Sequence, residues 1–380
     1  MTMNFALNEE QTEIRDSIIR FARQELSVSA DEANGFPHAA WRKCAEMQLM
    51  ALPFPEEYGG CGADFLTTVV ATQAFGYACK DAGLVHAVCT QILCGMQINS
   101  FGSEELKHRY LPSLVRGEKI FAQAITEAGS GSDALGMRTR AELAEGGYLL
   151  NGTKIFITNG PVADVVLVFA VTNPEVSRIS GISCLVVEKG MSGFTQCAPM
   201  AKMGLDTLQN GELVFADCPV PAENLVGSAG QGAILFNESM EWERCLLPAA
   251  HLGTLERIFE TSVAYAKGRS AFGQPISKFQ AVSSKIVEMK MALELGRLML
   301  YKVATTKDQH KRAALEASIV KLYISEALKK TCLDAVQIHG GYGYMKEYEV
   351  ERDLRDSIAA TIYSGTSEMQ QNIISRFIGL

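Results

Sequence analysis

Nowhere does the chain contain an uninterrupted apolar run of the roughly eighteen residues that a membrane-spanning helix needs. Basic residues are not in excess either. Thirty-five Lys and Arg stand against forty-three Asp and Glu, a formal charge of −8, which argues against nucleic acid or an anionic membrane as partner. At 21% charged and 47% hydrophobic residues the composition excludes disordered, collagen-like and low-complexity chains. The first residues, MTMNFALNEEQTEIRD, turn acidic and amphipathic at once and have neither the signal-peptide nor the transit-peptide pattern, so a cytoplasmic protein is expected. The ten cysteines form no CxxC pair. Several, such as Cys79, Cys94, Cys245 and Cys332, lie in apolar helical stretches and are expected to be reduced small hydrophobes. A lone Glu-x-x-His, Glu105 to His108, lacks the second pair that a di-iron bundle requires, so no metal is expected. Nicotinamide binding of the Rossmann kind is excluded too: Gly230-Gln231-Gly232 lacks the third glycine, and Gly340-Gly341-Tyr342-Gly343 follows a helix. A Walker A lysine loop is also missing.

What is present is a chain of 380 residues, long enough for two or three domains, whose texture changes twice. Residues 1–118 read as helices, with helical spacing through 11–26, 39–50, 66–78 and 85–101. Breaks fall at Gly35-Phe36-Pro37 and at Phe54-Pro55-Glu56-Glu57-Tyr58-Gly59-Gly60. From 119 to 229 the period shifts towards two, and an antiparallel sheet or barrel is predicted. Its first hairpin is expected across Asn151-Gly152, between 148–150 and 154–157. From 230 to 380 long helices return, over roughly 231–267, 277–305, 312–339 and 349–378, as expected of an antiparallel four-helix bundle. The predicted class is α+β: helices, a small β domain, then helices.

Glu243 is the most informative position. On a helix it shares a narrow apolar stripe with Phe236, Met240, Leu247 and Ala250, while Glu238, Glu241 and Arg244 fall on other faces, open to solvent. A carboxylate on such a stripe is a base with a raised pKa or half of a buried ion pair; the residues alone leave both open. Pro248 in the same helix is expected to kink or open it. Three further constellations could hold an anion or a flat polar ring: the small-residue loop Thr126–Asp133, Arg269-Ser270-Ala271-Phe272-Gly273, and Thr366 as N-cap of the last helix. Taken singly, the first reads more readily as an ordinary surface turn, the second is a weak signal, and the third serves equally as a cap with no ligand.

In this order and at these distances the motifs resemble the acyl-CoA dehydrogenase family over nearly the whole chain. Those that carry the likeness are Pro55–Gly60, Thr126–Asp133, Asn151–Gly160, Arg269–Gly273, Gln337–Gly343, Arg355-Asp356 and Gly365-Thr366-Ser367-Glu368. The resemblance implies a helical–β–helical fold, tightly bound FAD and a homotetramer in which a second subunit holds the ADP part. By position, Gln123, Ile125 and Thr126 on one strand, with Ser132, Phe156 and Thr158, would line the flavin. Arg269, Phe272, Gln280, Gln337, Gly340 and Gly341 would hold adenine and pyrophosphate, and Thr366 and Glu368 would meet the cofactor at the last helix.

Most members of that family carry the catalytic glutamate directly before Gly-Thr-Ser, where this chain has Ser364. A minority, including the isovaleryl-CoA and long-chain enzymes, place it on the first long C-terminal helix before an arginine, which Glu243-Arg244 matches. The implied reaction is α,β-dehydrogenation of a thioester with Glu243 as base. The stretches Glu241–Cys245, Leu354–Ile358 and Ile362–Gln370 are similar to those of L-prolyl-carrier-protein dehydrogenases, which oxidise proline tethered to a peptidyl or acyl carrier protein through a phosphopantetheine thioester to a pyrroline or pyrrole. Met240, Trp242, Arg244, Ser364 and Gly365 would then surround a compact cyclic acyl group. Lys107-His108-Arg109, Arg138 with Arg140, and Lys307 through Arg312 are the candidate carrier-docking patches. A short branched-chain acyl-CoA dehydrogenase is the second reading, and a non-catalytic helical binding protein on the same fold is the third. Electron-transfer flavoprotein and O2 remain equal candidates for the oxidant.

Overall fold

The computed structural model describes residues 6–26 and 35–380; the first five residues, part of the stretch read for a leader, lie outside it. Among the described residues five α-helices come first: α1 (Glu9–Glu25), α2 (His38–Glu46), α3 (Phe65–Ala78), α4 (Ala82–Phe101) and α5 (Glu104–Val115). Their starts are written locally. Asn8 and Gln11 form a reciprocal capping box on α1, and Asp64, Asp81 and Ser103 accept the backbone N–H three residues on in α3, α4 and α5. Helices α3 and α4 are apolar nearly all round and run through the middle of the core.

The β domain comprises β1 (Phe121–Ala124), β2 (Arg140–Ala144), β3 (Gly147–Thr158), β4 (Val165–Val171), β5 (Ile182–Glu188), β6 (Phe194–Gln196), β7 (Asn210–Pro221) and β8 (Leu225–Val226). They join in one sheet, ordered β6-β7-β3-β2-β4-β5-β8, with β1 also on β4. Pairing is antiparallel except that β1 runs parallel to β4 and β2 touches β4 in parallel at one residue pair. Strand β4 is apolar on both faces for a reason. Val165, Leu167 and Phe169 pack into the helical core, while Val166, Val168 and Ala170 fill the sheet's other face. The hairpin expected at Asn151-Gly152 is not there. Strand β3 runs straight through those residues with a shift of register against β7, and the turn lies earlier, at Glu145-Gly146, before the Ala144–Gly147 pair. Gly152 sits at φ +145°, and a Cβ there would fall 2.5 Å from Thr139 Oγ1, so its glycine makes a bulge rather than a turn.

The chain closes with α6 (Gly232–Gly268), a short hairpin of β9 (Ser270–Ala271) and β10 (Gln274–Pro275), then α7 (Gln280–Asp308), α8 (Ala314–His339), α9 (Val350–Ala360) and α10 (Ser367–Phe377). The single helix expected over 349–378 is two, because Ser364 (φ +58°) and Gly365 (φ +87°) take left-handed backbone that no helix continues through. Conversely, α6 does not open at Pro248; it is helical without interruption, buried side chains on either side of the proline holding it. Helices α3 and α6 approach at glycine: a Cβ at Gly253 would lie 2.0 Å from the Gln73 carbonyl oxygen, and one at Gly76 2.1 Å from that of Ala250. That close contact fixes α6, the helix that carries Glu243.

Candidate active site

Along α6, Met240, Leu247 and Ala250 are buried, Phe236 is half-buried, and Glu243 lies among them, half-buried as well. Neighbouring residues on the helix are less exposed than their spacing suggested. Glu241 is buried, not solvated: its carboxylate accepts from Lys307 Nζ at 3.0 Å and from the Ala313 N–H at 3.2 Å. The charge is satisfied within the bundle, since the partner helix supplies a cation that α6's own periodicity cannot reveal. Arg244 is half-buried too, and burial lowers the pKa of its guanidinium against the pull of Glu243 and Glu241. Trp242 packs edge-on against Phe65, ring centroids 4.3 Å apart, and under Lys307 Nζ. It therefore sits with the Glu241 ion pair.

Glu243 instead meets the left-handed turn between α9 and α10. Ser364 Oγ donates to Glu243 Oε1. The Ser364 carbonyl accepts from Arg244 Nε at 3.1 Å and from Gln370 Nε2 at 3.0 Å. The Gly365 carbonyl accepts from Lys321 Nζ at 2.7 Å and from the same Gln370 amide at 2.9 Å. Behind the turn, Tyr363 shares a 2.6 Å hydrogen bond with His251 Nε2 and meets the edge of His86. Burial pulls both imidazoles down, His251 to about 3 and His86 to about 4, so both are neutral at physiological pH. The same effect raises Glu243 above the ordinary carboxylate range, opposed by the Ser364 hydrogen bond and the charges of Arg244 and Lys321. Lys321, 2% exposed, is brought down to about 8, burial being the larger cause and Arg244 the next. A sheltered carboxylate of raised basicity, with one oxygen held and no hydrogen bond to the other among the described residues, can take a proton from carbon.

The residues expected to hold FAD fall into two groups. In the first, Gln123 Nε2 reaches Ser239 Oγ at 3.3 Å, tying the end of β1 to α6 one turn before Glu243. The strand ends at Ala124, so Ile125 and Thr126 leave it as loop rather than continuing it. The Thr126 carbonyl accepts from the Ile155 N–H, next to Phe156. Phe156 stands at φ +60° and is 62% exposed, and Asn210 Nδ2 donates to its carbonyl and to Thr158 Oγ1. Ser132 lies on the exposed loop that follows. In the second group, Arg269 lies over the Tyr342 ring at 5.6 Å, beside Gly340 and Gly341, with exposed Gln337 a turn earlier. Phe272 is 95% exposed, its ring edge-on to Phe279, which precedes Gln280. At the last helix Thr366 caps α10 by accepting from the Met369 N–H, and Glu368 lies exposed in its first turn. No hydrogen bond joins the two groups among the described residues. Cβ atoms added at Gly129, Gly131, Gly340 and Gly341 would meet open space. Open glycine backbone beside the exposed rings of Phe156, Phe272 and Tyr342 fits a long, flat, anionic cofactor.

Sequence reasoning missed Asn210, Lys321, Gln370 and the buried pair of Lys154 with Glu127, 2.9 Å apart. Thr153-Lys154 next to Glu127 had a signal, a lysine inside an apolar strand; the others had none. Of the docking patches, Lys107 pairs with Glu104, Arg109 with Glu188 and Lys307 with Glu241. Those charges answer acids of the chain itself, whereas Arg138, Arg140, Lys311 and Arg312 stay exposed with no ion pair among the described residues.

Family models match three consecutive stretches: acyl-CoA dehydrogenase N-terminal domain over 8–118, middle domain over 122–218 and C-terminal domain over 230–379. The L-prolyl-[peptidyl-carrier protein] dehydrogenase of Pseudomonas fluorescens is 40% identical over the full length of both chains. Among solved structures, the prolyl acyl carrier protein oxidase AnaB is 44% identical, covering 99% of this chain and 100% of its own at TM-score 0.96. PigA, solved with FAD and proline, is 38% identical over all of both chains at the same TM-score.

Proposed function

Because the chain belongs to the acyl-CoA dehydrogenase family, we propose that Glu243 is its catalytic base, acting on L-proline tethered as a thioester to a carrier protein. Its activity is FAD-dependent dehydrogenation of an acyl thioester. The observation that carries the assignment is the meeting of Glu243 with Ser364. The position that holds the glutamate in most of the family has a hydroxyl here, and that hydroxyl contacts the one carboxylate on the apolar stripe of α6.

Bound FAD supplies the hydride acceptor. The chain's own residues do the rest. Glu243 Oε2, which accepts no hydrogen bond among the described residues, takes the proton from the carbon beside the thioester carbonyl. Arg244, Lys321 and Gln370 hold the 364–365 turn by its carbonyls and so fix the wall against which the acyl group lies. Met240, Ser364 and Gly365 border the acyl group, whereas Trp242, packed on Phe65, supports the wall from behind. Thr158, Phe156 and the Thr126 loop receive the flavin ring, and Arg269 with Gly340 and Gly341 the pyrophosphate.

The protein is further proposed to be a cytoplasmic homotetramer. Val287, Met291, Leu295 and Leu298 line one exposed face of α7 at helical spacing, an apolar stripe that another copy would cover. Electron-transfer flavoprotein or O2 completes the cycle.

The test is anaerobic bleaching of the flavin by prolyl-carrier protein and, separately, by a panel of acyl-CoAs. Rapid bleaching by the prolyl thioester alone is the expected result. Bleaching only by branched-chain acyl-CoAs would overturn the substrate, and a colourless purified protein would overturn the enzyme reading altogether.

A further inference from the structure

We propose that Ser364 is a positioning residue for Glu243: its hydroxyl, presented by the left-handed turn, donates to Oε1 and leaves Oε2 as the oxygen that receives the substrate proton. The inference rests on Glu243 being the base.

Geometry makes the case. A serine at φ +58° pays a conformational penalty that glycine would not, yet the turn is held in that state from three helices. Arg244 of α6 and Gln370 of α10 grip the Ser364 carbonyl; Lys321 of α8 and Gln370 grip that of Gly365. With both carbonyls pinned, the Ser364 side chain has a defined direction, and it points its proton at Glu243 Oε1. A hydroxyl donor to a carboxylate stabilises the charged form, which is the form a base needs, and it blocks rotation that would exchange the two oxygens. Other groups that face Glu243 do not do this. Arg244 and Lys321 give their hydrogen bonds to the turn and act on the carboxylate only through space, while Cys89 and Cys94 of α4 and Tyr363 of the turn are held in their neutral forms by burial. Ser364 is thus the single hydrogen-bond donor to the base among the described residues.

The experiment compares FAD-loaded wild type with Ser364→Gly, which suits the positive φ, and Ser364→Ala, which keeps a Cβ. Difference infrared spectroscopy follows the protonated-carboxyl stretch against pH, with Glu243→Gln identifying the band. In both variants the band should persist to higher pH than in wild type, at unchanged FAD content. Flavin reduction by prolyl-pantetheine should be roughly tenfold slower near neutrality and recover at alkaline pH, as loss of a charge-assisted hydrogen bond requires. A band that titrates where the wild-type band does in both variants overturns the proposal. A normal reaction rate in Glu243→Gln overturns the base assignment instead, and the infrared titration reads the Ser364 contact whatever thioester the enzyme takes.

Discussion

Glu243→Gln isolates the chemistry from the architecture. The amide keeps an oxygen where Oε1 stands, so Ser364 retains its acceptor and the turn held by Arg244, Lys321 and Gln370 keeps its place. What changes is the other atom: Oε2, the proposed proton acceptor, becomes an NH2 group that cannot take a proton. Removing a positioned general base lowers turnover by about 10²–10⁴-fold. Stability should move the other way. Burial raises the folded-state pKa of Glu243 above its unfolded value, so the folded chain holds a proton that the unfolded chain releases, and stability falls as pH rises through that window. Glutamine carries no such dependence. The variant's Tm should therefore equal or exceed wild type at pH 8, with less difference at pH 5. Stopped-flow flavin reduction, the flavin absorbance ratio and thermal unfolding together check this. Near-normal reduction with intact FAD would refute the reasoning, and Glu241 could not be the substitute, since Lys307 and Ala313 already hold it.

Asp356, raised by burial to about 7, accepts the Leu205 N–H at 2.6 Å. Its destabilising effect should grow as pH rises from about 4 towards 7, so Asp356→Asn should raise Tm at pH 8 but not at pH 4, as calorimetry would show. Lys154→Met strands the Glu127 carboxylate beside an apolar strand and also releases the Ile125 carbonyl; a loss of about 3–5 kcal/mol is expected in urea titration, much of it restored by adding Glu127→Gln. Arg269→Ala should lower FAD retention after gel filtration without unfolding the chain, because Arg269 is exposed and its side chain packs on Tyr342.

The helical parts of the fold were legible because their signals are local. Apolar spacing along one helix carried the reading; the caps at Asn8, Asp64, Asp81 and Ser103, each within three residues of the bond it makes, are equally local signals that the reading did not use. Misreadings came where one local signal supports two structures. Asn-Gly is the pair of a tight turn and also a place where an extended strand can bulge, and only the Thr139 backbone lying against Gly152 decides between them. In the site, the apolar stripe gave Glu243 but made Glu241 a solvated residue, because a stripe describes one helix while the cation that neutralises Glu241 lies 66 residues away on α7. Lys321 was silent for the same reason: it reaches the Gly365 carbonyl across 44 residues of sequence.

That contact at the turn also bears on why a base can sit in either of two places in one family. Ser364 and Glu243 are 121 residues apart, yet their side chains touch. A carboxylate projecting from position 364 would thus reach nearly the same point in space as the one projecting from α6. Two ionised carboxylates there would repel, and one would take up a proton and cease to be a base. The site therefore accommodates one carboxylate, delivered from α6 or from the turn, and the vacated position is best filled by a small group that can donate to it. Serine meets that requirement. With Glu243 as the proposed base, residues 364 and 243 form a single catalytic position, divided between two elements of the bundle.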